Sequence, residues 1–335
     1  MKPVVYASAM AAPKETTTRF DLTSLGEIML RLSVPTGARL DDSSSLDLEI
    51  GGAEGNVTLA LSRLGRRVAW LGRLPEQHLG DIVLRTLRAD GVDVSGVCRA
   101  PNERMGLYFI EYASAPRSIQ VIYDRAESAA ARMTVDHVAW ETLLNTKILH
   151  MTGITPALSL SCREITQESV RRAKELGATV SFDVNFRSKL WDPASAADAL
   201  RPLIREADVL FCKRSDAELL FSCRGEPAQQ LAGLAEISDA ETIYLTCGDS
   251  GAWMLHAGKV SSLPAVPVTI IDRVGSGDAF AAGALDGLLD GDAEAGLARG
   301  VALASIALSQ HGDRVLSSRR ELNAVLAQRP TDISR

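Results

Sequence analysis

Short apolar runs alternate along this chain with longer stretches whose apolar residues recur every three or four positions. Ile148–Met151, Thr179–Asp183, Val209–Cys212 and Ile243–Thr246 read as strands. Ser161–Leu176, Ala196–Glu206 and Ser215–Phe221 read as the helices between them. Earlier, Val57, Leu59, Ala60, Leu61 and Leu64 mark a helix from Ala53 onward, Val68–Gly72 a buried strand, and Leu79–Asp90 a helix ended by Gly91. Asp292–Gln310 and Arg319–Ala327 close the chain as helices. Such βα alternation predicts an α/β fold, a mainly parallel sheet with helices on both faces, and ligands at the carboxyl ends of its strands.

Two regions break that rhythm. Ser24–Leu32 reads as a strand interrupted by Gly26, and Asp41–Ile50 is polar with alternating Leu46, Leu48 and Ile50. Gly106–Tyr112 and Ser118–Arg125 read as a hairpin across Ala115-Pro116-Arg117. Strands without intervening helices cannot continue a parallel sheet, so the segments near 30–50 and 105–125 predict a small second sheet.

Composition narrows the class. The chain has 335 residues, 46% hydrophobic and 23% charged, with a net charge of −6. That is an ordinary globular balance, and the absence of a long basic run argues against nucleic acid as a partner. No apolar run approaches the roughly 18 residues of a membrane span. Cys98, Cys162, Cys212, Cys223 and Cys247 are scattered and form no CxxC, which predicts reduced structural thiols in a cytoplasmic protein. Residues 1–20 are small and polar without the apolar stretch of a signal peptide, so they read as a flexible extension before one domain over 21–330.

The chemistry concentrates at Asp272-Arg273-Val274-Gly275-Ser276-Gly277-Asp278. An apolar, β-branched run, Val266–Ile271, precedes it and predicts a strand, although Pro267 interrupts it. A helical pattern follows: Ala279, Phe280, Ala282, Gly283, Leu285, Leu288 and Leu289. Gly275-Ser276-Gly277 thus sits where a strand meets a helix N-terminus, whose free N–H groups and dipole bind anions. Asp278 is either a helix-start carboxylate favoured by the dipole or a base that takes a proton from an attacking hydroxyl. Upstream, Gly52 lets a ligand lie against the main chain, and Asn56 offers a donor and an acceptor either to ligand hydroxyls or to the helix end.

These motifs resemble the signatures of the PfkB/ribokinase sugar kinases. Asp-x-x-Gly-Ser-Gly-Asp-Ala-Phe-x-x-Gly is similar to the family's C-terminal motif, and Gly51-Gly52-Ala53-Glu54-Gly55-Asn56 to its upstream one. No Gly-Lys-Ser/Thr follows the glycines, so this is not a Walker A loop. The resemblance implies a ribokinase-like three-layer αβα sandwich with a small β-sheet lid over the sugar. It also implies ATP and Mg²⁺, Asp278 as catalytic base, and the Gly275, Ser276 and Gly277 corner as an anion hole that also holds the nucleotide. Family enzymes often pair lid to lid, which implies a homodimer.

Within that family the pattern is most similar to the 2-keto-3-deoxygluconate kinases. Gly106-Leu107-Tyr108, Tyr123-x-Arg125 and Asp183-Val184-Asn185-x-Arg187 carry the likeness. It implies substrate contacts at Gly52, Asn56, Tyr108, Tyr123, Arg125 and Arg187, the arginines suiting a sugar acid because Arg pairs carboxylate bidentately. Glu27 is implied to face the sugar. Thr246-Cys247-Gly248-Asp249-Ser250-Gly251 resembles the family's turn beside the nucleotide phosphates, implying contacts from Thr246, Gly248 and Gly251. Where the family carries Asn-x-x-Glu, this chain has Lys213-Arg214-Ser215-Asp216; Lys213 then contacts phosphate or is simply solvated, and Asp216 orders Mg²⁺ through water. Asp124, where the family often has Tyr, is placed to pair with Arg125. The expected activity is phosphorylation of the terminal hydroxyl of 2-keto-3-deoxygluconate, with a neutral-sugar kinase or a non-catalytic sugar sensor as alternatives.

Overall fold

A computed structural model describes residues 19–113 and 116–327. The expected extension through residue 18 lies outside them, as does Ala115 of the hairpin turn. Phe20, assigned to that extension, instead opens the first strand.

The strands in chain order are β1 Phe20–Leu25, β2 Met29–Ser33, β3 Asp47–Gly51, β4 Val68–Leu71, β5 Arg73–Pro75, β6 Cys98–Ala100, β7 Leu107–Glu111 and β8 Gln120–Asp124. They continue as β9 Thr146–Thr152, β10 Thr179–Asp183, β11 Val209–Lys213, β12 Thr242–Thr246, β13 Ala252–His256 and β14 Lys259–Leu263. Eight form one sheet in the order β14-β13-β12-β11-β10-β9-β1-β4. From β12 to β4 every pairing is parallel, and β13 and β14 add an antiparallel edge.

Both faces of this sheet are covered. Ala53–Arg63, Ser276–Leu289 and Ala293–Leu308 pack on one side, where Leu22, Phe211, Phe280 and Leu303 are buried in one core. Leu160–Glu175, Pro193–Arg205, Arg214–Phe221 and Pro227–Ile237 cover the other side, over Leu149, Val180, Phe182 and Leu210. Alternation along each strand explains the split: Ile148 joins the first core and Leu149 the second. The result is the ribokinase-like three-layer α/β architecture.

The second sheet runs β3-β2-β7-β8 and is the small lid expected from the broken rhythm. Its β2–β7 pair is parallel and its outer pairs antiparallel. Ser24–Leu32 is not one strand: the glycine interruption is where the chain leaves the main sheet at Leu25 and enters the lid at Met29.

The strand expected over Val266–Ile271 does not form; residues 264–270 carry no regular structure. Pro264 and Pro267 remove ladder donors, and no neighbouring strand pairs with the segment, so β propensity has nothing to act on.

Candidate active site

Chain direction along the sheet reverses at β1, which is flanked by β4 on one side and β9 on the other. In open α/β sheets that reversal opens a crevice beyond the carboxyl ends of the strands. The helices beginning at Ala53 and Ser276 both start there, and Asn56 Nδ2 donates to Asp278 Oδ2 at 2.8 Å, joining the two motifs. Asp278 is 7% exposed, and its burial raises the carboxyl above the usual range, while the bond from Asn56 opposes that rise. A carboxyl of raised basicity in a closed corner is suited to accept a proton.

Gly275 is the N-cap of the Ser276 helix, with φ 81°. A side chain there would be strained, and its Cβ would come within 1.9 Å of the Asp313 carbonyl oxygen. Around Gly277 the position of a Cβ meets nothing within 4 Å, so the first turn of the helix is uncrowded at that residue. That is the geometry of an anion site at a helix start. Gly52, by contrast, is pressed against the body: a Cβ would lie 2.1 Å from the Glu27 carbonyl oxygen.

Along the carboxyl edge the register aligns Thr152 with Asp183, and Lys213 with Thr246. Asp183 is half-buried, and burial, helped by the charge of Asp278, pushes its carboxyl up to about 8. Asp216, in the first turn of Arg214–Phe221, is also raised by burial, with Ser215 Oγ donating to it at 3.0 Å. Arg187 is exposed at this edge, and its positive charge lowers Asp183, Asp278 and Asp216 alike. It makes no salt bridge among the described residues, and its Nη1 donates to the carbonyl of Phe186 at 3.2 Å. Lys213 is likewise exposed. After Thr246, Gly248–Ser250 form a tight turn closed by Cys247 N to the Gly251 carbonyl at 2.8 Å, with positive φ at Gly248 and Gly251.

No group of three or more His, Cys, Asp or Glu side chains suited to a metal occurs among the described residues. A divalent ion here fits only if nucleotide phosphates and water supply most of its ligands, as Mg²⁺ prefers.

The lid places the remaining candidates differently. Tyr108 is 2% exposed, packed among Met29, Ile110 and Tyr112, with its hydroxyl beside Asp313 and without hydrogen-bonding geometry to it. Tyr123 stacks on Tyr108 at 5.8 Å and is covered by Arg125 and by Lys189. Lys189 also donates to the Val121 carbonyl, tying the loop after β10 to lid strand β8. The expected Asp124–Arg125 pair does not form: Asp124 faces out and binds Arg104 at 2.5 Å. Arg125 turns inward to Glu27, because successive residues at a strand end point to opposite faces. Glu27 is therefore held by Arg125 and by Ser128 Oγ at 2.5 Å rather than free to face a sugar.

Sequence reasoning quoted Asp183 and Asn185 within a motif but gave Asp183 no role of its own, and it passed over Arg31. Asn185 adopts φ 39°, unusual for a non-glycine, with its N–H on Asp183 Oδ1 at 3.0 Å. Arg31 carried a signal, a cation inside the apolar run Met29-Leu30-Arg31-Leu32.

A three-layer αβα body, a β lid and an anion corner beside a buried carboxylate define a sugar kinase of ribokinase-like architecture. The comparisons agree: a model of the pfkB family carbohydrate kinases matches residues 19–319, and the chain belongs to that family. It is 39% identical to a 2-dehydro-3-deoxygalactonokinase of Haloferax volcanii, over 91% of this chain and 96% of that one. It is 30% identical to a 2-dehydro-3-deoxygluconokinase of Bacillus subtilis, over 93% and 97%. The crystal structure of a 2-dehydro-3-deoxygluconokinase from Thermotoga maritima superposes with a TM-score of 0.87 at 30% identity, covering 92% of this chain and 99% of that one. No helix among the described residues is long and apolar enough to cross a membrane.

Proposed function

We propose that this carbohydrate kinase is ATP-dependent and acts on 2-keto-3-deoxy sugar acids, transferring phosphate to the terminal hydroxyl of 2-keto-3-deoxygluconate to give the 6-phosphate. The observation that carries the reading is Asp278: a buried carboxylate of raised basicity, held by Asn56 at 2.8 Å, on the first turn of a glycine-opened helix. A carboxylate there opposes an incoming phosphate unless it removes a proton from the attacking hydroxyl. The hydroxyl proton passes to Asp278, and the amides from Gly275 to Gly277 receive the charge of the transferring phosphoryl. Arg187 faces the sugar's carboxylate, with Tyr123 as a flat wall. Thr246, Gly248, Gly251 and Lys213 line the nucleotide side. Bound Mg²⁺ neutralises phosphate charge, with Asp216 reaching it through water.

Two relatives named for different epimers leave the C4 configuration to decide. The 39% identity to the galactonate enzyme favours 2-keto-3-deoxygalactonate as the second reading. A coupled ADP-release assay over both epimers, fructose and ribose tests this. The expected result is a preference for one acid; a preference for fructose or ribose indicates a neutral-sugar kinase, and no ADP with any of them a non-catalytic sensor.

We further read residues 21–330 as one domain of a cytoplasmic enzyme, dimeric through the lid. Leu46, Leu48, Ile119 and Ile122 are all more than a third exposed in and beside the lid strands, an apolar area that a second lid would cover. Light scattering at micromolar concentration checks it, and a monomer overturns the dimer.

A further inference from the structure

Arg31 is a lid residue whose two hydrogen-bonded carboxylates, Asp272 and Asp313, both adjoin the Gly275 corner. It projects from β2, opposite Glu49 of β3 and Tyr108 of β7, and its side chain is 1% exposed. Nη2 donates to Asp272 Oδ2 at 2.6 Å, and Nη1 donates to Asp313 Oδ1. Its guanidinium lies over the Tyr112 ring at 5.5 Å, and the Tyr112 hydroxyl donates to the same Asp272 oxygen at 2.5 Å. Nε stands 3.8 Å from Glu49 Oε2.

Both carboxylates that Arg31 grips shape the anion corner. Asp272 Oδ1 accepts from Val274 N at 3.0 Å, curling the chain into Gly275, and Oδ2 accepts from Gly312 N at 3.2 Å. Asp313 lies against Gly275 through its backbone carbonyl. One planar fork thus ties the segment entering the corner to the segment behind it, and it does so from the lid.

We propose that Arg31 is a positioning residue for phosphoryl transfer, clamping Asp272 and Asp313 so that the Gly275–Gly277 amides keep their aim and the corner forms only with the lid in place. This rests on the kinase reading above. A displacement of about 1 Å in such a site costs on the order of 10² in rate, and a lost oxyanion donor about 10²–10³. Arginine is required because only a planar fork serves two carboxylates at once; lysine offers a single point of charge.

The test compares wild type, Arg31→Lys, Arg31→Gln and Tyr112→Phe, each assayed per mole of folded protein, with kcat and both KM values measured. The expected order of kcat is wild type, Tyr112→Phe, Arg31→Lys, Arg31→Gln, with Arg31→Gln down roughly 100-fold and KM for sugar and ATP changed less than about threefold. Lysine restores part of what glutamine loses. If Arg31→Lys and Tyr112→Phe both keep wild-type kcat while only their melting temperatures fall, Arg31 merely holds the fold and the proposal is wrong. Should Arg31→Gln fail to fold, the Lys and Phe variants still decide. If wild type releases no ADP with any sugar, it is the kinase reading that fails, a result distinct from unchanged kcat in the variants.

Discussion

Arg125 and Glu27 form a closed pair: Nε and Nη2 of the arginine reach the same Glu27 oxygen at 2.8 and 2.5 Å, and the side chains are 8% and 1% exposed. The charge expected to meet a substrate carboxylate is thus already balanced within the protein, at the junction of body and lid. Removing one partner of a buried pair strands the other, at a cost of about 3–5 kcal/mol. Arg125→Ala should therefore lower the urea midpoint markedly, and Arg125→Ala with Glu27→Gln should recover part of the loss. An Arg125→Ala protein as stable as wild type rules out a structural pair.

Arg187 carries the complementary prediction. It is exposed and makes no salt bridge among the described residues, and the proposed function assigns it to the substrate's carboxylate. Truncating one side of a charge-assisted contact costs about 2–5 kcal/mol, roughly 30-fold or more in specificity. Arg187→Ala should cut kcat/KM for the preferred acid by that factor and leave weak fructose turnover nearly unchanged. Equal losses on both substrates would remove Arg187 from carboxylate recognition.

Asp278→Asn keeps the bond partner at Asn56 but cannot take a proton. Loss of a general base costs about 10²–10⁴ in rate, so kcat should fall by that range while calorimetry finds sugar and nucleotide binding intact. Near-normal turnover excludes Asp278 as the base.

Stability should fall as pH rises from 6.5 to 8. Asp183 has its carboxyl raised to about 8 by burial, against 3.8 unfolded, so between those values the folded protein holds a proton the unfolded chain has lost. Its stabilisation is complete below the unfolded value and disappears as pH climbs through 8. His150, buried and pushed down to about 3, acts oppositely and only below its ordinary 6.5. Melting curves of Asp183→Asn should lose much of the decline between 6.5 and 8; a decline identical to wild type assigns it to other groups.

The body of this fold was legible because its signals are local. Apolar runs of strand length and helical spacing put β10 at Thr179–Asp183 and the last helix at Arg319–Ala327, as observed. The glycines and Asp278 announced a helix start that the chain adopts at Ser276, and the break in βα rhythm announced the lid. Tertiary structure alone decided the partners of the charges. Arg31 meets Asp272 across 241 positions, and Arg125 meets Glu27 across 98; no local pattern records which face of which strand a side chain will share. The same reason undid the strand at Val266–Ile271, since a strand exists only where another edge donates its hydrogen bonds, and here prolines stand where donors are needed.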